Sequence, residues 1–190
     1  GVVTPEDPWL TFPITGHLIV PIFTLYDYSF RPANISRDQV IDWAMEENCV
    51  CTDEVAIKAD PFRGIDDWSS QRCEDTRMRL DNDLPTDART ILINHFPLRE
   101  DLVLIPRIPR FSPWCGTKQT EDWHLRYRAD IVVSGHLHVR GTKVRDHTRF
   151  EEVSLGYARQ WDAEKGLKHY LRDLIPNPAA YDQTKFPERA

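Results

Sequence analysis

The chain has 190 residues, of which 41% are hydrophobic and 28% charged, and its formal net charge is -6. This composition is typical of one globular domain that buries a sizeable core, and it excludes a wholly disordered chain. The acidic balance and the lack of any lysine or arginine run argue against a nucleic-acid surface.

Cysteine use and hydropathy bear on the cellular compartment. The spacing of Cys49, Cys51, Cys73 and Cys115 fits neither a zinc knuckle nor a redox pair, so we interpret them as reduced thiols. No apolar stretch approaches the roughly 20 residues that cross a bilayer, and no signal sequence opens the chain. We therefore expect a cytoplasmic protein without a membrane partner.

The first half of the chain predicts a strand and two helices. Residues Leu18 to Tyr26 are β-branched and aromatic, which indicates a strand, and Ser36 to Asn48 have a helical apolar period after a capping serine. A second helix is expected over Asp66 to Leu80. The side chains expected to pack from this helix are Trp68, Cys73, Met78 and Leu80.

Two short apolar runs in the second half predict buried strands. Thr90 to His95 and Ala129 to His136 are each too brief for a helix, and each ends in polar residues. Between them, Trp114 to Arg126 indicates a loop that leads into a helix, with Thr120 as its cap. Two predicted strands thus end at histidines.

The last part of the chain predicts a hairpin and then a tail. Val139 to Val144 and Arg149 to Leu155 alternate on either side of a polar turn at Asp146. Residues 173–190 have three prolines and no periodicity, so an extended tail is expected there.

The segment Gly135-His136-Leu137-His138 is the most informative motif. Histidines two residues apart at the end of a buried strand can direct their imidazoles to adjacent metal ions, and glycine lets the backbone turn there. A single His-x-His pattern is also compatible with ordinary histidines that bind no metal.

His95 strengthens the metal interpretation, because it ends another apolar strand before Phe96-Pro97. Taken in order, Ile93 to Pro97 and Val133 to His138 resemble the last two signature blocks of the calcineurin-like metallophosphoesterase superfamily. Three further segments resemble a bacterial branch of that superfamily that includes a phosphopantetheinyl hydrolase. These segments are Tyr26 to Phe30, Trp114 to Thr117 and Phe150 to Tyr157.

This resemblance implies an α/β fold, the C-terminal part of an αββα sandwich of two sheets, with residues 1–190 as the C-terminal portion of a single domain. His95 and His136 would bind one metal and His138 the other, with Asn94 behind the ligands. The implied function is hydrolysis of a phosphoester by a bridging hydroxide held between two transition-metal ions, iron, manganese or zinc. The implied substrate is a small phosphomonoester such as a phosphopantetheine-type group.

The earlier blocks of the superfamily are missing from this sequence. Asp122-Trp123-His124 has the spacing of the first block but falls in a predicted helix, so we expect Asp122 and His124 to be structural or solvent-facing. The resemblance therefore implies that the catalytic residues and remaining ligands lie upstream of Gly1, on a segment that acts as a partner. If the chain instead completed the centre by itself, Asp27 or Asp130 could supply the acidic ligands.

The Pro-rich loop suggests a substrate-binding surface. Arg107 and Arg110 could offer cations to a phosphate, and Trp114 could offer an aromatic face to an organic group. A solvated loop with packed rings explains the same composition. A different class of function, a metal-binding interaction module without hydrolase activity, also remains open on the sequence.

Overall fold

The computed structural model describes residues 1–175. One mixed sheet of six strands runs through this part of the chain in the order β1-β2-β3-β4-β6-β5. The strands are β1 Leu10–Thr11, β2 Leu18–Pro21, β3 Thr90–Ile93, β4 Ala129–Ser134, β5 Gly141–Arg145 and β6 Thr148–Glu152. The α-helices are α1 Val40–Met45, α2 Asp53–Ala56, α3 Ile65–Asp83, α4 Trp123–Arg126 and α5 Gly166–Tyr170.

The centre of the sheet is parallel, which places the ends of successive strands at one edge. β2, β3, β4 and β6 all run in the same direction, with Leu92 paired to Val20 on one side and to Val132 on the other. Parallel neighbours require long crossovers, and α3 lies within the connection from β2 to β3. The carboxyl ends of β3 and β4 therefore meet, as the sequence predicts.

The main core lies between one face of the sheet and two helices. Alternate strand residues point to this face, including Val20, Leu92 and Val132, all at most 2% exposed. Cys73 and Leu80 of α3 pack against them. A smaller apolar cluster on the opposite face is built from Ile91, Ile131 and Val133.

A separate aromatic cluster lies beside the edge where the strands end. Its buried members include Tyr26, Tyr28, Phe96 and Trp114, and α1 contributes to it through Val40 and Ala44. The rings meet edge to face, with the centroids of Tyr26 and Tyr28 5.3 Å apart, a favourable arrangement for aromatic pairs. This cluster forms rigid support next to His95 and His136.

The predicted elements are found, with corrections to their bounds. The first long strand is shorter than predicted, because pairing stops at Pro21 and residues 22–26 leave the sheet. The helix predicted from Ser36 begins with a 3-10 turn, and Thr117 rather than Thr120 caps the turn before α4. Met78, expected to pack, is 44% exposed.

Two further expectations concern the hairpin and the tail. The polar turn is correct, since Asp146 and His147 take positive φ between β5 and β6. The predicted tail at 173–190 falls largely outside the described residues. All four cysteines are free thiols, and among residues 1–175 no helix is long and apolar enough to cross a membrane.

Candidate metal centre

The candidate site is formed by the turns that follow β3 and β4. His95 follows β3 by two residues, and His136 follows β4 by two residues. The backbone N–H of Gly135 donates to the carbonyl of His95 at 3.0 Å, which ties the two turns together. With the Asn94 N–H donating to the Val133 carbonyl at 3.0 Å, the pairing of β3 and β4 continues beyond both strands and fixes the relative position of the two histidines.

The imidazoles of His95 and His136 meet directly. Nε2 of His95 and Nδ1 of His136 are 3.0 Å apart. The ring of His136 is held by Phe96, with centroids 4.5 Å apart, and by Phe111, whose ring stacks at 5.8 Å and 19°. These aromatic contacts limit rotation of His136 and exclude water from it.

Desolvation lowers the pKa of both imidazoles and favours their neutral forms, although His95 is exposed and His136 is half-buried. The pKa of His136 falls to about 3, because the ring is desolvated and because His95 and His138 would repel a positive charge on it. Desolvation also lowers the pKa of His95, although the carboxylates of Asp53 and Glu152 act in the opposite direction. A neutral imidazole has the free lone pair that a metal ion requires.

His138 is near this pair but stands apart from it. It acts electrostatically on both other histidines, so the three rings share one edge of the sheet. Its backbone has φ 55°, a left-handed conformation that costs a residue with a Cβ roughly 1–2 kcal/mol. Its ring lies edge-on to Tyr157 at 4.6 Å. Strain of this kind is common where a side chain must be aimed at a functional site.

Asn94 braces the turn that carries His95. Its side chain is 5% exposed, and Nδ2 donates to Thr24 Oγ1 at 2.7 Å and to the Phe96 carbonyl at 2.9 Å. Its Oδ1 accepts from the Thr24 N–H at 3.3 Å. Asn94 therefore fixes the backbone on both sides of His95.

The geometry of the pair fits two ligands of one metal ion. Ligand nitrogens about 2.1 Å from an ion lie roughly 2.9–3.4 Å from each other for ordinary bond angles, and the observed separation falls in that range. Nε2 of His136 is buried without a hydrogen-bond partner among the described residues. The Trp114 backbone lies near enough to affect the pKa of His136 but outside hydrogen-bonding geometry.

The site is short of negative charge. Among residues 1–175, no group of three or more His, Cys, Asp or Glu side chains is arranged to hold a metal ion. His95 and His136 are thus in direct contact and His138 lies near them, but the three side chains do not form a closed metal site. Such a set fits part of a two-metal centre.

Comparison with known proteins identifies the family. A model of the calcineurin-like phosphoesterase family matches residues 22–140, which include both histidine motifs. The chain belongs to the calcineurin-like phosphoesterase family. The resemblance inferred from the two motifs is confirmed, and with it the α/β fold class.

One similar protein is the [acyl-carrier-protein] phosphodiesterase PptH of Mycobacterium tuberculosis, 44% identical over 181 residues. That match covers 94% of this chain and 55% of the relative, so the chain spans about half the length of the relative. The crystal structure of phosphopantetheinyl hydrolase from M. tuberculosis matches with a TM-score of 0.85 and 42% identity. It aligns with 96% of this chain and 65% of the solved chain.

Within this calcineurin-like fold, Trp114 and Arg110 occupy structural positions. Trp114 is 1% exposed and its indole N–H donates to Glu54 Oε1 at 2.6 Å, so its ring packs in the core instead of presenting a face to a ligand. Arg110 pairs with Glu46 at 2.6 Å and Glu47 at 2.9 Å at the end of α1. These contacts argue against both predicted substrate roles. Arg107 is exposed and stays a candidate.

Other predicted residues lie away from the site. His124 is fully buried and pairs with Asp146 at 3.1 Å, while Asp122 is exposed, so neither lies with the family motifs. Asp27 accepts a hydrogen bond from Thr117 at 2.7 Å. None of these three side chains joins the three histidines.

Asp130 lies at the opposite edge of the sheet, at the start of β4. It accepts hydrogen bonds from His17 at 2.8 Å and Arg89 at 2.6 Å. Burial raises the pKa of Asp130, but these hydrogen bonds outweigh burial and lower it below the ordinary value. Asp130 is a structural carboxylate and does not complete the metal centre.

Sequence reasoning missed four residues that shape the site. Phe96 and Phe111 pack on His136, Glu54 anchors the aromatic cluster through Tyr28 and Trp114, and Glu152 reaches the neighbourhood of His95. The position of Phe96 directly after His95 was an available signal. The other three come from distant segments, so no local pattern marks them.

Proposed function

We propose that this chain is part of a metal-dependent phosphoester hydrolase and supplies His95, His136 and His138 to a centre of two transition-metal ions. The observation that carries this proposal is the 3.0 Å approach of two imidazoles with lowered pKa values at the ends of adjacent parallel strands. His95 and His136 would share one ion, and His138 would serve the second. Iron, manganese and zinc all accept this imidazole set.

The residues of the chain would position the reaction rather than perform its proton transfers. When bound, two such ions activate water for attack on phosphorus and offset charge on the phosphoryl oxygens. Asn94 keeps His95 in place, and Phe96 and Phe111 keep water from the ligand ring of His136. Outer residues of this kind set the orientation of metal-bound imidazoles.

The similar proteins favour a phosphopantetheine-type substrate. The two similar M. tuberculosis proteins are an acyl-carrier-protein phosphodiesterase and a phosphopantetheinyl hydrolase. At 44% identity over nearly all of this chain, the same class of small phosphorylated group is the best-supported substrate. Exposed Arg107 remains available to a phosphate, whereas Arg110 and Trp114 do not.

The test is to change His136 to alanine in the complete protein. We expect metal content and hydrolysis of a phosphopantetheinyl carrier protein to fall together, because an open ligand position alters the coordination of the ion. His147→Asn is the matched control, since His147 is exposed at the hairpin turn and asparagine tolerates its positive φ.

Three readouts separate the possible outcomes. Two metal equivalents in the wild type, lost with activity in His136→Ala only, support the hydrolase. One chelation-resistant zinc without hydrolysis would instead support an interaction module, because a closed structural site has no open position. Unchanged metal content in His136→Ala would remove His136 from the proposed ligand set.

A further inference from the structure

A cavity of about 250 Å³ lies directly behind the candidate metal centre. Its walls come from the same two turns that carry the histidines, through Pro97 on one side and Leu137 and Val139 on the other. Leu102 and Leu104 close it from the segment after β3. Any group held in this cavity would therefore sit next to the bond that the proposed enzyme hydrolyses.

The size of the cavity limits what it can hold. It exceeds the ~150 Å³ that holds a benzene-sized molecule but falls below the ~300–1,000 Å³ typical of sites for whole drug-sized ligands. A narrow organic chain fits these limits, whereas an entire nucleotide does not. The apolar walls favour methylene and methyl groups.

One buried carboxylate oxygen gives the cavity its chemical preference. Glu152 lines it and is 9% exposed. Its Oε1 accepts from the Ser154 hydroxyl at 2.6 Å, but its Oε2 is buried with no hydrogen-bond partner among the described residues. A buried acceptor of this kind is costly unless a donor reaches it. Arg140 and exposed Lys143 also line the cavity.

The cavity connects to the centre through the strands. Glu152 is the last residue of β6 and lies opposite Ser134, the last residue of β4, in the parallel register. Two residues beyond Ser134 is His136. The carboxylate of Glu152 is also one of the charges that act on His95. The cavity and the histidines thus share one sheet edge.

We propose that this cavity binds the amide-bearing arm of a pantetheine group, with an N–H or hydroxyl of the arm donating to Glu152 Oε2. The chemistry fits this class, because the apolar walls accept the alkyl parts and the unpaired carboxylate oxygen accepts from an N–H or hydroxyl. A fatty acyl chain offers no donor to this oxygen. This assignment rests on the proposed function for the identity of the arm.

The test measures binding of pantetheine, which has no phosphate, to the 190-residue chain without metal. We expect saturable changes in the methyl NMR signals of Leu104, Leu137 and Val139 at millimolar pantetheine. Octanoate at equal concentration is expected to leave them unchanged. Equal binding of octanoate would overturn the role of Glu152 as the acceptor.

The cavity variants have a matched control. Leu104→Trp should fill the cavity mouth and weaken pantetheine binding at least tenfold, whereas Leu125→Trp should bind as the wild type does. Leu104 and Leu125 are equally exposed at 48%, and only Leu104 lines the cavity. Glu152→Gln should weaken binding by about tenfold, as expected for loss of a charged hydrogen bond. Leu104→Ala, which opens the cavity mouth, should retain binding. It keeps the test decisive if Leu104→Trp misfolds.

The two proposals fail in different ways. If wild-type binding is absent, or if Leu104→Trp binds normally, the cavity does not hold the arm, whether or not the complete protein hydrolyses the carrier ester. If pantetheine binds in the cavity but the complete protein does not hydrolyse the ester, the cavity assignment stands and the proposed hydrolase activity fails.

Discussion

Replacing Asn94 with alanine tests how the turn after β3 is held. The change removes two short hydrogen bonds, to Thr24 Oγ1 and the Phe96 carbonyl, and a longer one from the Thr24 N–H. Because these groups are buried, each one left unpaired costs about 1–3 kcal/mol, while the hydroxyl can find a new partner by rotating. We expect a total loss of roughly 2–4 kcal/mol in the free energy of unfolding.

Urea unfolding measures this loss directly. With a slope of about 1–3 kcal/mol per molar urea, the midpoint should fall by roughly 1–2 M at an unchanged slope. Asn94→Asp keeps the shape but loses both N–H donors and faces the Phe96 carbonyl with a negative charge, so it should be at least as damaging. In the complete protein, metal affinity should fall about 10–100-fold, as for other residues behind ligands.

The control for this experiment is Asn82→Ala. Asn82 is exposed on α3, where alanine has the better helix propensity, so stability should rise by less than ~0.7 kcal/mol. An Asn94→Ala midpoint equal to that of the wild type would refute the view that Asn94 braces the turn.

Three further predictions follow from the described contacts. Glu54→Ala should destabilise the protein by about 3 kcal/mol in urea unfolding, since it removes the acceptor of both the Tyr28 hydroxyl and the Trp114 N–H, whereas Glu54→Gln should lose much less. Because the pKa of Asp130 is lowered in the folded protein, this carboxylate stabilises the fold at pH values above its ordinary pKa near ~3.9, and that stability is lost as the pH falls. Asp130→Asn should therefore make the unfolding midpoint depend less on pH in the acid range. An unchanged acid dependence in Asp130→Asn would contradict this role of Asp130. The 190-residue chain supplied with manganese or iron should show negligible hydrolysis of an aryl phosphate, because its described residues include no carboxylate grouped with the histidines; robust turnover that His136→Ala abolishes would show that the chain completes its own centre.

The parts of the site that follow from strand order were predictable from the sequence. Short apolar runs ending at His95 and His136 predict buried strands, and parallel strands place both ends at one edge. The spacing of apolar residues in helices and strands likewise locates α3 and the hairpin turn at Asp146. These features depend on neighbouring residues, so a local pattern is sufficient to find them.

Features that depend on distant partners were not predictable. The sequence allows Trp114 to be exposed or buried in its Pro-rich loop. It is buried because its indole N–H bonds the carboxylate of Glu54, 60 residues earlier in the chain. Arg110 pairs with the end of α1 in the same way. Glu152 lies beside the edge that carries the histidines only because β6 pairs directly with β4, although β5 lies between them in the sequence. The sequence contains no spacing rule that links these positions.

The electrostatics of the trio explain why metal binding should depend on groups beyond these histidines. The imidazoles of His95, His136 and His138 offer lone pairs but no negative charge, and two divalent ions bring four positive charges to a site where desolvation already lowers the pKa of His95 and His136. Asp53 and Glu152 act on His95 from a distance, yet desolvation is still the stronger influence on its pKa. Charge balance at the centre therefore requires carboxylates that join the histidines directly. We therefore expect the three histidines alone to bind metal weakly, and to bind it strongly once such carboxylates are present.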